Sequence, residues 1–85
     1  MANLTVDLAE LVRVMVEPLV DHKDDLQVTQ SVDESGDVYI EISAHEEDAG
    51  KVIGRQGRVI KSLRILARAA GSRAGARHVD VELPE

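Results

Sequence analysis

The sequence contains no cysteine. Disulfides, thiolate metal sites and a cysteine nucleophile are therefore excluded. It also lacks Phe and Trp and has a single Tyr. A core must be built from Ala, Val, Leu and Ile. No apolar run approaches the roughly 18 residues that a membrane span requires. The opening stretch, MANLTVDLAELVRV, carries acids where a signal peptide carries a basic segment. These absences predict a cytoplasmic protein with no membrane partner.

The chain has 85 residues, 44% of them hydrophobic. That length predicts one domain over residues 1–85, because a shorter unit could not bury a core of its own. The net charge of −6 argues at first against nucleic acid. Its distribution reverses that reading. Residues 1–50 hold 13 acids and 2 bases, whereas residues 51–85 hold 8 bases and 3 acids. Between Lys51 and His78 there is no acid at all. A solvated helix face mixes signs, so a one-sign stretch points to a polyanion, unless acids elsewhere in the fold neutralise it.

Leu4, Leu8, Leu11, Met15 and Leu19, with Val12 and Val16, form one stripe of an amphipathic helix. Asn3 or Thr5 is suited to cap it, and Pro18 predicts a kink or stop at Glu17. A charged turn follows at Asp21–Asp25. Leu26, Val28 and Val32 alternate with polar residues as in a strand, and Gln30 breaks the inward pattern, as on an edge strand. Asp33-Glu34-Ser35-Gly36-Asp37 reads as the turn of an antiparallel hairpin, with Val38, Ile40 and Ile42 alternating beyond it. Glu46, Glu47 and Asp48 suit the start of a short helix reaching Ile53. Gly54 ends it and Gly57 opens another, expected to last to about Ala70, where Gly71 to Gly75 stop it. Val79, Val81 and Leu83 give a third strand. The order αββααβ predicts a two-layer α+β domain, a three-stranded sheet with helices on one face.

The stretch Gly54-Arg55-Gln56-Gly57 carries the functional signal. Two glycines spaced by three decide little alone. Here apolar residues precede them, bases surround them and an amphipathic helix follows. Gly54 permits a strained turn between helices, and Gly57 lets a ligand approach the backbone. The next helix offers free N–H groups and a positive dipole end to an anion. Arg55 adds a forked cation and Gln56 neutral donors. Without aromatic residues at this site, bases must lie on aliphatic side chains such as Val52, Ile53 and Ile60.

This loop resembles the GxxG signature of KH domains, and the element order resembles the type II KH topology. The chain length, the first helix ending near Glu17-Pro18-Leu19, and the segment GKVIGRQGRVIKSLR resemble KhpA, a family of small bacterial KH proteins. The resemblance covers essentially the whole chain. It implies single-stranded RNA as the ligand, with Gly54, Arg55, Gln56 and Gly57 clamping about four nucleotides of backbone. Lys51, Arg58, Lys61 and Arg64 would support them. It also implies self-association, pairing with a KhpB-like KH protein, and a role as an RNA chaperone or post-transcriptional regulator in cell-wall homeostasis and cell-length control. One departure is the acidic turn: Asp33, Glu34 and Asp37 would repel RNA if they faced the groove.

In the helix after the loop, Val59, Ile60, Leu63, Leu66, Ala67 and Ala70 gather on one side, predicting core. Arg58, Lys61, Ser62, Arg64 and Arg68 gather opposite. Ile65 and Ala69 fall among these polar residues. With Leu66 at the edge, they either are ordinary exposed apolar groups or form a homodimer contact. A KH-fold dimerisation adaptor with weak or no RNA binding is the rival function. An enzyme is disfavoured: His22, His45 and His78 fall at separate element boundaries, none beside a nucleophile, with no HExxH or Walker-type phosphate loop. His45 is placed to cap the second helix. Glu46, Glu47 and Asp48 point in different directions along a helix, so no metal site and no cofactor is expected.

Overall fold

The computed structural model describes residues 7–84. The elements run α1 (Leu8–Val16), β1 (Gln27–Val32), β2 (Asp37–Ser43), α2 (Ala49–Ile53), α3 (Arg58–Ala74) and β3 (His78–Glu82). Short 3-10 turns occupy Glu17–Leu19, Lys23–Asp25 and Arg55–Gly57. The order is αββααβ. The molecule is a two-layer α+β domain, its sheet ordered β1-β2-β3.

Strand β1 pairs antiparallel with β2, and β2 pairs parallel with β3. A parallel pair needs a crossover from one end of the sheet to the other, and α2, the loop and α3 make it. The Gly54–Gly57 loop therefore lies beyond the C-terminal ends of β2 and β3, and α3 returns to their starts. At that far end Arg77 N–H donates to Gly36 O at 3.0 Å, fastening the acidic hairpin turn to the α3–β3 connection. Helix α3 has 17 residues. At 1.5 Å per residue, it separates the acidic turn from the loop by about 25 Å.

The core is aliphatic throughout. Leu8, Val12 and Val16 of α1, Val38, Ile40 and Ile42 of β2, and Val79 and Val81 of β3 meet Ile60, Leu63 and Ala67 of α3. Tyr39, Glu41, Glu82 and His78 lie on the opposite, exposed face of the sheet. Gln30 does break the pattern of edge strand β1. Its Oε1 accepts from Ala9 N at 3.0 Å, satisfying an amide in the first turn of α1. The hairpin turn is closed by Asp33. Its carboxylate accepts from the Asp37 and Ser35 amides at 3.0 and 2.9 Å and from the Tyr39 hydroxyl at 3.2 Å. These bonds, the Asp37 amide foremost, outweigh desolvation and hold its pKa below the ordinary value.

Several expected boundaries shift. Asp7 caps α1, its Oδ1 accepting from Glu10 N at 3.1 Å; Asn3, Leu4 and Thr5 lie outside the described residues. Glu17 keeps right-handed helical angles beside Pro18, so the helix tightens into a 3-10 turn. That change of pitch breaks the stripe, exposing Leu19 and burying Val20. Helix α2 starts at Ala49, leaving Glu46–Asp48 in a preceding turn. Leu66 is 51% exposed and is not core.

Helix α3 does not stop at Gly71. It continues to Ala74 and ends at Gly75, which is left-handed at φ 101°. Gly71 is buried and lets α3 close onto the sheet. A Cβ there would overlap Val79 Cγ2 and lie 3.3 Å from Leu8 Cδ1. Overpacking of about 1–3 kcal/mol outweighs the ~1 kcal/mol that Ala gains over Gly in a helix. Gly71→Ala is therefore expected to lower the urea midpoint, with a net loss of up to about 2 kcal/mol. An unchanged or raised midpoint would show that the α3–β3 contact has slack.

Candidate nucleic-acid interface

The loop between α2 and α3 is built on three positive φ angles. Gly54 sits at φ 78°, ψ 168°, a region open essentially to glycine. Gln56 and Gly57 follow in the left-handed region at φ 58° and φ 74°. Gln56 is the one described non-glycine residue there, which costs about 1–2 kcal/mol. Gly54 N–H closes α2 onto Gly50 O at 2.8 Å, and Gly57 N–H returns to Gly54 O at 3.0 Å.

The two glycines do different things. A Cβ on Gly54 would overlap the Val59 side chain and come within 2.8 Å of Val59 N. Its absence leaves the first-turn amides of α3 uncovered. A Cβ on Gly57 would meet nothing nearer than Lys61 Cε at 3.8 Å, so Gly57 is required for its backbone angle. Helix α3 begins without a side-chain cap. The Arg58 amide turns back onto Arg55 O, and the amides that follow it and the helix dipole point toward the loop, the geometry that receives a phosphate.

The cations sort into two groups. Of the eight Lys and Arg from Lys51 to Arg77, Lys51 alone forms ion pairs among the described residues. Its Nζ meets the Asp21 carboxylate and lies 3.3 Å from Asp48 Oδ1. The Asp21 hydrogen bond, against desolvation, raises its pKa. Lys51 is therefore not a free loop cation. Arg64 Nε donates to Val81 O at 3.0 Å and Arg68 Nε to Val79 O at 3.1 Å. Both cover the open edge of β3, so Arg64 is half-buried structural support. Arg55, Arg58 and Lys61 are exposed beside the loop. Arg58 also donates to Gln56 Oε1 at 3.2 Å.

The apolar residues sort as sharply. Val52 is fully buried and Ile60 is 7% exposed, so both belong to the core and not to a base-contacting floor. Ile53 is 43% exposed. It lines a depression of about 410 Å³ with Ala44, Glu46, Ala49, Leu83 and Pro84. Sequence reasoning missed these neighbours because they come from two stretches far apart in the chain, 44–53 and 83–84. The spacing of Ile53 from buried Val52 is the one local signal of exposure.

A sequence model of the KH domain of KhpA and KhpB matches residues 9–83. The chain belongs to this KH family. It is 41% identical over 66 residues to a protein of Listeria monocytogenes named RNA-binding protein KhpA, covering 78% of this chain and 86% of that one. Proteins of the same name from Halalkalibacterium halodurans and Bacillus subtilis are 44% and 42% identical over 63 and 64 residues. Those matches cover 74% and 75% of this chain, and 82% and 78% of theirs. Residues 54–57, Gly-Arg-Gln-Gly, have the GxxG spacing of KH loops.

One further residue fixes the turn that leads into α2. Asp48 is completely buried, and its side chain makes no capping bond to the amides of α2. Its oxygens accept from Asp21 N at 3.1 Å and His22 N at 2.9 Å. It therefore staples the segment before β1 to the turn before α2, where a helix-start charge was expected. Burial alone would push its carboxyl up, but the His22 and Asp21 amides and the Lys51 ammonium outweigh this. The net pKa is lowered from 3.8 to about 2. A depressed folded pKa adds stability above the unfolded value that is lost as pH falls through the folded one. Asp48→Asn should lower the urea midpoint at neutral pH, and the gap from wild type should shrink between pH 3.8 and about 2. A gap that stays constant down to pH 2 would contradict the staple.

Proposed function

We propose that this KH domain, read as one unit over the whole chain, binds single-stranded RNA through Gly54, Arg55, Gln56 and Gly57. The observation that carries the reading is the start of α3. It is uncapped, it is left open by the missing side chain of Gly54, and it is flanked by Arg55, which has no ion pair among the described residues. In this reading a phosphate sits on the first-turn amides, with Arg55, Arg58 and Lys61 around it. Bases lie toward Ile53 and its depression, held by apolar contact because no aromatic side chain stands at the loop. The names of the relatives point the same way. We extend the proposal, on family grounds, to a cytoplasmic RNA chaperone or post-transcriptional regulator. It would act with a KhpB-like partner, with a role in cell-wall homeostasis and cell-length control.

The charge chemistry fixes the test. Three exposed cations on a single strand give log K a slope against log salt of about −2. Short single-stranded RNA should bind with that slope in a fluorescence-anisotropy titration. The double change Arg55→Asp, Gln56→Asp should weaken binding by more than about tenfold, from lost attraction and added repulsion. Far-UV circular dichroism should not change. Equal binding by the double variant would remove the clamp assignment.

A second reading, a homodimer that would also suit an adaptor role, is favoured by the exposure of Ile65 at 65% and Leu66 at 51%, with Ala69 exposed one turn on. Ile65 is eight residues beyond Gly57, or about 12 Å along the helix. Ile65→Asp should keep the fold and shift the mass in solution to monomer. A variant that remains dimeric excludes this surface.

A further inference from the structure

Away from the loop, the fold gathers three potential ligands from two segments. His22 precedes the 3-10 turn Lys23–Asp25, and His45 and Glu47 lie between β2 and α2. The imidazoles of His22 and His45 stack with centroids 3.8 Å apart and planes 16° from parallel. Glu47 Oε1 lies 2.9 Å from His22 Nε2 and 3.7 Å from His45 Nδ1. All three donor atoms fall within 4.8 Å of one another.

Two imidazoles and a carboxylate are the donor set of open zinc sites with three protein ligands. Tetrahedral bonds of about 2.0–2.2 Å place donors about 3.3–3.5 Å apart. The two Glu47 distances bracket that spacing, and one imidazole must tilt out of the near-parallel stack for both ring lone pairs to meet one ion. His45 Nδ1 accepts from Glu47 N at 3.1 Å, so its lone pair is aimed at the glutamate backbone and becomes available to an ion when that bond opens. The backbone under His22 is anchored, because the buried Asp48 carboxylate holds the amides of Asp21 and His22. Both histidines are half-buried and Glu47 is exposed, so solvent can deliver an ion and fill the remaining position. Imidazole donors favour zinc and its neighbours over magnesium or calcium, which take oxygen.

We propose that His22, His45 and Glu47 form a binding site for a divalent transition-metal ion of the zinc type. On binding, His45 Nδ1 gives up the Glu47 amide for the ion, and both imidazoles bind as neutral ligands. The ion ties the segment before β1 to the turn before α2, the same two segments that Asp48 joins. Protons compete for the same nitrogens, so affinity falls as pH is lowered.

The test is titration of the untagged full chain with zinc chloride, by calorimetry and by NMR of the histidine rings. One ion per chain should bind. The ring signals of His22 and His45 should move while those of His78, exposed at the start of β3, stay still. Thermal unfolding should shift upward with zinc chloride and not with magnesium chloride. His45→Ala should weaken binding by more than about tenfold, and His78→Ala should not. Glu47→Gln, at a side chain 69% exposed, should also weaken it without disturbing the fold. Absence of saturable binding, or zinc affinity that survives both His45→Ala and Glu47→Gln, would overturn the site and leave only an ion pair.

Discussion

At Gly54 the chain turns through φ 78° and ψ 168°, angles at which a side chain would be strained and would also overlap Val59. That bend lets a short helix end and a long one begin within four residues. It leaves the α3 N-terminus uncapped and puts Arg55 at the tip. The rest of the fold serves to hold the bend in one place. Parallel pairing of β2 with β3 sends the crossover to the C-terminal ends of the strands. Gly71 lets α3 lie close on Val79, which fixes the direction in which its positive end points.

The polar side chains divide between holding the fold and facing solvent. Asp48 is spent on two backbone amides and Lys51 on two carboxylates. Arg64 and Arg68 cover the carbonyls of an edge strand that would otherwise be open to further pairing. What remains near the bend is a compact group of Arg55, Arg58 and Lys61. An acidic protein can carry such a group because many of its acids lie elsewhere, although Glu46 borders the Ile53 depression. Glu41 and Glu82 face away on the sheet, and the Asp33–Asp37 turn sits at the other end of α3. The net charge of −6 therefore says little about the potential at the loop.

Periodicity made most of the architecture legible. The stripe through Leu8, Val12 and Val16, the alternation in Val38, Ile40 and Ile42, and the turn chemistry at Asp33–Asp37 each lead to the observed element. The bend was readable because glycine pairs are rare without a backbone reason when cations and a helix follow. What was not readable depended on distant segments. Val52 and Ile60 flank the loop in sequence, yet the sheet buries them. Arg64 follows the same basic pattern as Lys61, but its reach to Val81 O depends on where β3 lies. Gly71 looks like a helix stop locally, and only the approach of Val79 shows that it is a packing residue. Asp48 resembles its acidic neighbours until the fold brings His22 N–H to it.

The central claim is that the exposed amides at the start of α3 contact the phosphate chain of unpaired RNA. Backbone amide shifts in a 1H–15N NMR titration with a short single-stranded RNA test it most directly. The account predicts that the largest changes fall on Arg55 to Ile60, with smaller ones around Ile53 and none on the outer face of the sheet. Shifts concentrated on Tyr39, Glu41 and His78, with Gly57 to Ile60 unmoved, would contradict it.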